Sequence, residues 1–175
     1  MVQLFKKYRP ALLFVLRFFV VYTVLTLLYS WYLQIYAGGP DPVTRWVAGK
    51  SVVLVEALGY SGRTQVFPGA DFVSFFVNDT SIARVVEGCN SLSVIILFIA
   101  FVIAYRGPLV HTLLFILGGT LLIYVVNTAR VALLIIGLYE VPEYGDALHR
   151  VFFPLVIYGL VFLLWVMWVR KFAGS

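Results

Sequence analysis

Cys89 is the single cysteine of a 175-residue chain. It stands in the stretch Glu87-Gly88-Cys89-Asn90-Ser91-Leu92, where polar, strand-forming sequence gives way to an apolar run from Val94 to Ala104. A thiol becomes a nucleophile when an adjacent base or cation raises its thiolate fraction. His149 is a candidate base, able to hold the proton or, as imidazolium, to stabilise the thiolate. Arg130 stays charged and offers fixed donors that could bind an oxyanion or clamp a substrate backbone. Asn127 precedes Arg130 by one helical turn and could orient it. Glu87 could pair with Arg130 or Arg150, and Asn90 sits beside the thiol as a third supporting residue. Each residue also has an ordinary reading. Free cysteine is among the most buried residue types, arginine anchors helix ends at membrane interfaces, a histidine can simply open a helix, and a glutamate is usually solvated. One cysteine makes no internal disulfide, and no Cys/His spacing points to a metal or other cofactor.

The elements that must position these residues are membrane helices. The chain is 62% hydrophobic and 12% charged, with a mean hydropathy of +0.99. Soluble domains run near 45–50% apolar and 25% charged. The sequence therefore predicts a single-domain, all-α, multi-pass membrane protein. The basic residues sit at the ends of apolar runs, so the net charge of +5 reads as topology and not as nucleic-acid binding.

About four spans are expected, at residues 11–36, 88–105, 109–127 and 150–169. A bilayer span takes about 20 apolar residues. Arg17 interrupts the first run near its start, and Tyr29, Trp31, Tyr32 and Tyr36 crowd its end as an aromatic belt would. That run is too long for the apolar region of a signal peptide, so it is expected to be retained. Val131 to Tyr139 is apolar but covers only about half a bilayer at 1.5 Å per residue. It is either re-entrant or an extension of the third helix to residue 139. Residues 37–87 are expected to form a small extracytoplasmic cap. Val43 to Leu58 reads as an amphipathic helix lying in the interface. The turn pairs Pro68-Gly69 and Asn78-Asp79 punctuate strand-like sequence read as one β-hairpin.

Charge topology then groups the candidates. With the N-terminus cytoplasmic, Lys6, Lys7, Arg9, Arg106, Arg170 and Lys171 face the cytoplasm, with Arg17 near them. Asp41, Glu56, Asp71, Asp79, Glu87, Glu140, Glu143 and Asp146 all fall outside. Both termini are then cytoplasmic. Cys89, Arg130 and His149 share the outer side, at the ends of spans two, three and four. His111 follows the inner turn and is excluded.

Glu87-Gly88-Cys89-Asn90-Ser91-Leu92 opening a span, Asn127-Thr128-Ala129-Arg130 closing the next and His149 opening the last together resemble the exosortase/archaeosortase family of membrane transpeptidases. The resemblance covers residues 86–168. The family pattern is usually Cys-Ser-Gly or similar, where this chain has Cys89-Asn90-Ser91. The chain resembles a short, compact form with few accessory spans. The resemblance implies a cell-membrane enzyme, without metal or organic cofactor, that recognises a C-terminal sorting signal made of a short motif, a transmembrane helix and a basic cluster. Cys89 would attack the peptide bond near the motif and form a thioester, with His149 as acid/base and Arg130 as oxyanion or substrate stabiliser. A nucleophile on a surface molecule, such as a glycan or lipid, would resolve it. The substrate helix would lie against spans two to four, where Gly118, Gly119, Gly137 and Gly159 permit close approach. Two other readings remain: a membrane assembly or transport subunit with a merely packed cysteine, and a hydrolase that releases its product into water.

Overall fold

The computed structural model describes residues 2–105 and 107–171, with side chains from Tyr8 onward. Arg106, in the expected inner turn, lies outside the described residues, as do the side chains of Lys6 and Lys7. The chain is mostly helical. Helix α1 spans Val2–Ile35 and α2 spans Pro42–Ala57. Strands β1 (Gly62–Gln65), β2 (Val73–Val77) and β3 (Thr80–Val85) follow. A 3-10 turn at Glu87–Cys89 leads into α3, Leu92–Ala104. Helix α4 runs without a break from Leu109 to Glu140. A 3-10 turn (Pro142–Tyr144), a short turn α5 (Gly145–Ala147) and a π-helical turn (Leu148–Phe152) lead into α6, Phe153–Lys171.

Three helical stretches are long and apolar enough to cross a bilayer: Tyr8–Ile35, Leu109–Glu140 and Pro142–Lys171. The expected span over 88–105 is shorter as a helix, with 13 residues, or about 20 Å at 1.5 Å per residue. Its start is delayed because Glu87–Cys89 winds as a 3-10 turn and Ser91 takes a left-handed conformation, which an α-helix cannot continue through.

A membrane cluster is built from Ile95, Phe98 and Val102 of α3, Ile123 of α4, and Val161, Leu164 and Trp168 of α6. The α3–α4 approach is close at Gly119, where a Cβ would come within 2.7 Å of Phe98 Cε1. Phe98 is fully buried there. Gly119→Ala is therefore expected to force α3 and α4 apart, costing about 1–3 kcal/mol as overpacking does. Thermal unfolding in detergent measures it, and an unchanged midpoint would contradict the packing. Gly137 is filled in the same way by Leu148, 2.9 Å from its would-be Cβ, while Gly118 and Gly159 meet nothing within 4 Å. Two of the four glycines expected to receive a substrate helix thus serve the protein's own packing.

The second cluster explains why Val131 to Tyr139 is apolar. Val131, Ala132 and Ile135 of α4 pack with Val47, Ala48 and Val55 of α2 and with Val73, Phe75, Val77 and Val85 of the sheet. This part of α4 is a stalk under the cap, and the re-entrant alternative is replaced by one continuous helix. Trp46 stacks on Tyr124 at 4.7 Å, and Asn78 Nδ2 donates to the Tyr139 hydroxyl at 3.1 Å. Helix α2 accordingly turns Thr44, Val47, Ala48, Ser51 and Val55 inward against protein, where an interfacial helix would turn its apolar face to lipid.

The expected single hairpin is a three-stranded antiparallel sheet in the order β1-β2-β3. Asn78 and Asp79 both have positive φ, 47° and 61°, the signature of the tight hairpin turn between β2 and β3. Pro68-Gly69 lies in a second connection, and β1 pairs with β2 from Gly62↔Val77 to Gln65↔Ser74. β1 was missed because Gly-Arg-Thr-Gln carries almost no apolar signal.

Candidate active site

The Cys89 turn is held between three helices. From one side, Asn127 of α4 donates from Nδ2 to the Cys89 carbonyl at 2.8 Å, and its Oδ1 accepts from Arg130 Nη1 at 3.2 Å. Asn127 is fully buried. A buried amide satisfied at both ends fixes its two partners relative to each other. Cys89 and Arg130 are thereby tied through one side chain. Arg130 is half-buried, and its Nε is buried without a hydrogen-bond partner. A buried cationic donor without a partner is able to receive an anionic or carbonyl oxygen.

From the other side, Asn90 anchors the turn. It is 1% exposed. Its Oδ1 accepts from Leu92 N at 2.9 Å, covering one of the orphan N–H groups that open α3. Its Nδ2 donates to Thr44 Oγ1 of α2 at 3.2 Å and to the Tyr29 hydroxyl of α1 at 3.4 Å. The Thr44 hydroxyl donates in turn to Asp41 Oδ2. Asp41 Oδ1 accepts from Val43 N at 2.9 Å, Thr44 N at 3.1 Å and the Tyr32 hydroxyl at 3.0 Å. Asp41 is thus the N-cap of α2, and Pro42 at the first helical position needs no N–H partner. Asp41 is itself 3% exposed, and a buried carboxylate is tolerated when it is this fully hydrogen-bonded. Asp41, Thr44 and Tyr29 were not singled out from the sequence. Asp41-Pro42 ahead of a helical run was the available signal, since that pair marks a helix start.

Ser91, two residues after Cys89, occupies the position where the resembled pattern carries glycine. Its φ is 62° and its ψ is 4°, left-handed geometry that costs a non-glycine residue about 1–2 kcal/mol. The backbone conformation expected of glycine is present without the glycine. Ser91 Oγ also donates to the Asn90 carbonyl at 2.6 Å. Ser91→Gly is therefore expected to be neutral or to stabilise by up to about 1 kcal/mol, read by thermal unfolding. A clear loss of stability would mean that the serine hydroxyl matters more than the backbone strain.

His149 comes to the same end of the bundle on the π-helical turn. Trp165 stacks on Phe101 at 4.3 Å, and Trp168 Nε1 donates to the Tyr105 carbonyl at 3.2 Å. Leu148 fills the space beside Gly137 of α4, ten residues past the Asn127 that holds Cys89, so His149 sits on the cap side of the Cys89 turn. Arg130 stands one helical turn beyond Asn127 in the same direction. His149 is exposed and makes no hydrogen bond or ion pair among the described residues. It is not joined directly to Cys89 or Arg130. A π-turn is an irregularity often found at functional sites.

Glu87 departs from expectation. It pairs with neither arginine, because Arg130 is engaged by Asn127 and Arg150 Nε pairs with Asp146 at 3.4 Å. Glu87 instead lines a cleft of about 190 Å³ with Tyr36, Asp41 and Asp71. Among the described residues, no group of three or more His, Cys, Asp or Glu side chains is arranged to hold a metal ion.

A family model described as transmembrane exosortase matches residues 4–170, nearly the whole chain. No curated protein and no solved structure matches it.

Proposed function

The chain belongs to the transmembrane exosortase family, and from that membership together with the Cys89 site we propose that it is a membrane cysteine transpeptidase acting on the extracytoplasmic face. The observation that carries the reading is the single buried amide of Asn127. It binds the Cys89 carbonyl and the Arg130 guanidinium while leaving Arg130 Nε free.

In the proposed reaction the substrate is a membrane-anchored protein with a C-terminal motif, a transmembrane helix and a basic cluster. The Cys89 thiol gives its proton to His149, and the thiolate attacks the carbonyl carbon near the motif. The oxyanion that develops faces the Arg130 donors. His149 returns the proton to the leaving amine, the C–N bond breaks, and a Cys89 thioester remains. An acceptor hydroxyl or amine on a surface glycan or lipid then attacks, its proton passes to His149, and the thiolate leaves. His149 makes no bond to Cys89 in this structure, so the proposed transfer requires the π-turn at Leu148–Phe152 to move toward the thiol.

The proposed topology has four crossings with both termini cytoplasmic. Helix α3 supplies the short crossing together with the turns at each end. Support comes from its packing beside α1. Asn90 reaches Tyr29 at one end, and Phe101 and Tyr105 meet Phe14 at the other, with centroids 5.5 and 5.1 Å apart. The positive-inside rule assigns the basic end to the cytoplasm of a cell membrane.

The test is co-expression with a reporter bearing the tripartite tail. A hydroxylamine-sensitive adduct between the reporter's N-terminal fragment and Cys89 is expected. Mass analysis of the released fragment separates transfer, which leaves an added acceptor mass, from hydrolysis, which leaves a free carboxylate. Cleavage that persists without Cys89 would sink the proposal.

A further inference from the structure

We infer that the basic end of the molecule carries a binding site for an anionic phospholipid, between α1 and the end of α3. A cavity of about 580 Å³ lies there, lined by Arg9, Leu13, Phe14, Arg17, Ala104 and Tyr105 among others. Its volume is that of a small-molecule site. The floor is rigid, because the Phe14 ring packs edge-on against Phe101 and Tyr105.

The two arginines lack counter-charges. Among the described residues neither makes a hydrogen bond or an ion pair, although Arg17 is half-buried. All eight aspartates and glutamates belong to the cap end, from Asp41 onward. Arg17 is separated from the Asp41 end of α1 by roughly 27 Å of helix, counting its 18 residues to Ile35 at 1.5 Å each. Apart from the masked residues, the charges at the near end are Arg170 and Lys171, which are also basic. A half-buried guanidinium in a membrane protein is stabilised by an anion or by reaching the interface, and this chain provides no acidic side chain near Arg17.

The geometry selects a lipid over a soluble anion. Arg9 and Arg17 lie on one helix about 12 Å apart along its axis. Both arginine side chains line the same cavity. A phosphate headgroup entering this cavity would meet both guanidiniums. Leu13, Phe14 and Ala104 supply the apolar wall for the start of an acyl chain. Leu12, Leu16 and Phe19 on α1 are 52%, 60% and 58% exposed, so the cavity opens beside a surface that faces hydrocarbon. Basic pockets between membrane helices are the expected receptors for such headgroups.

Native mass spectrometry of the full-length protein, purified in detergent with phosphatidylglycerol or phosphatidylcholine added, tests this. The wild-type protein should retain phosphatidylglycerol at least about tenfold better than phosphatidylcholine. The Arg9→Gln/Arg17→Gln double variant should lose that preference, while Arg170→Gln, outside the cavity, should keep it. Circular dichroism checks that the double variant is folded, and Arg9→Lys/Arg17→Lys, which preserves the charge, should retain part of the preference. Equal retention of the two lipids, or an unchanged preference in the folded double variant, would overturn the site. So would complete displacement of the lipid by millimolar inorganic phosphate, since that would mark a site for a free anion.

Discussion

Cys89→Ser and Cys89→Ala are each expected to lower processing of a tripartite substrate by about 10³-fold or more, the scale on which nucleophile removal acts in covalent catalysis. The reasoning starts from what the thiol does not do. Its sulfur makes no hydrogen bond among the described residues, and the turn is held by backbone and neighbouring side chains: the Cys89 carbonyl to Asn127, and Asn90 to Leu92, Thr44 and Tyr29. Replacing sulfur by oxygen leaves all of these in place. The cost to stability should stay within about 1 kcal/mol, arising from the contact Cys89 makes with the cap cluster. A serine hydroxyl in the same place remains almost wholly protonated near neutral pH, and an alcohol is a far weaker nucleophile than a thiolate. Processing assays and thermal unfolding of the same preparations therefore have to diverge. Full activity with serine would refute the nucleophile. Equal loss of activity and stability would mean that the cysteine is a packing residue, as the assembly-subunit reading holds.

Arg130 gives a graded counterpart. Loss of one donor to a developing oxyanion costs about 10²–10³ in rate, and Arg130→Lys should recover little of it because an ammonium cannot reproduce the guanidinium fork. Arg130 gives one N–H from Nη1 to Asn127, and the guanidinium's remaining donors are left to meet an oxyanion.

The parts of this fold written in hydropathy were legible in the sequence. The runs of α1, α4 and α6 announce themselves by length and composition. The segment Val131–Tyr139 was ambiguous because nothing local distinguishes an apolar face meant for lipid from one meant for a cap. Only the tertiary pairing of Val131, Ala132 and Ile135 with α2 and the sheet decides it. The sheet was undercounted for a related reason. Two turn pairs separate three strands, but β1 is polar and short and is recruited by β2, whose buried Val73, Phe75 and Val77 carry the core. The site divides in the same way. Helix order and charge topology group Cys89, Arg130 and His149; hydrogen bonds through Asn127 link the first two, and His149 makes no bond to either among the described residues. The Glu87 pairing failed because an exposed acid has many possible partners and Arg150 has a closer one four residues away. Asp41-Pro42 marks a helix start, but its link through Thr44 to Asn90, and that of Tyr29, spans three separate elements and leaves no spacing in the chain.

That connection predicts a second large effect. Asp41→Ala would strip the acceptor from four donors at once: the Val43 and Thr44 N–H groups and the Tyr32 and Thr44 hydroxyls. Loss of an N-cap alone costs about 1 kcal/mol, and buried donors left unpaired add about 1–3 kcal/mol more. A destabilisation of about 3 kcal/mol is expected, seen as a lowered unfolding midpoint in detergent. Stability loss alone would not distinguish a cap from a support for Cys89, so Thr44 provides the sharper variant. Thr44→Val keeps the shape and leaves the Asp41 bonds to Tyr32 and both N–H groups intact. It removes only the bridge from Asp41 to Asn90, and Asn90 Nδ2 then retains Tyr29 alone, at 3.4 Å. The turn carrying Cys89 should loosen while the protein stays folded. Processing should fall about tenfold, the effect of a misplacement well under 1 Å, and Cys89 should be alkylated faster as the turn opens. Thr44→Ser restores a hydroxyl at the same atom and should restore both readouts. If Thr44→Val processes substrate and alkylates as the unmodified protein does, the network stabilises α2 and does not position the thiol.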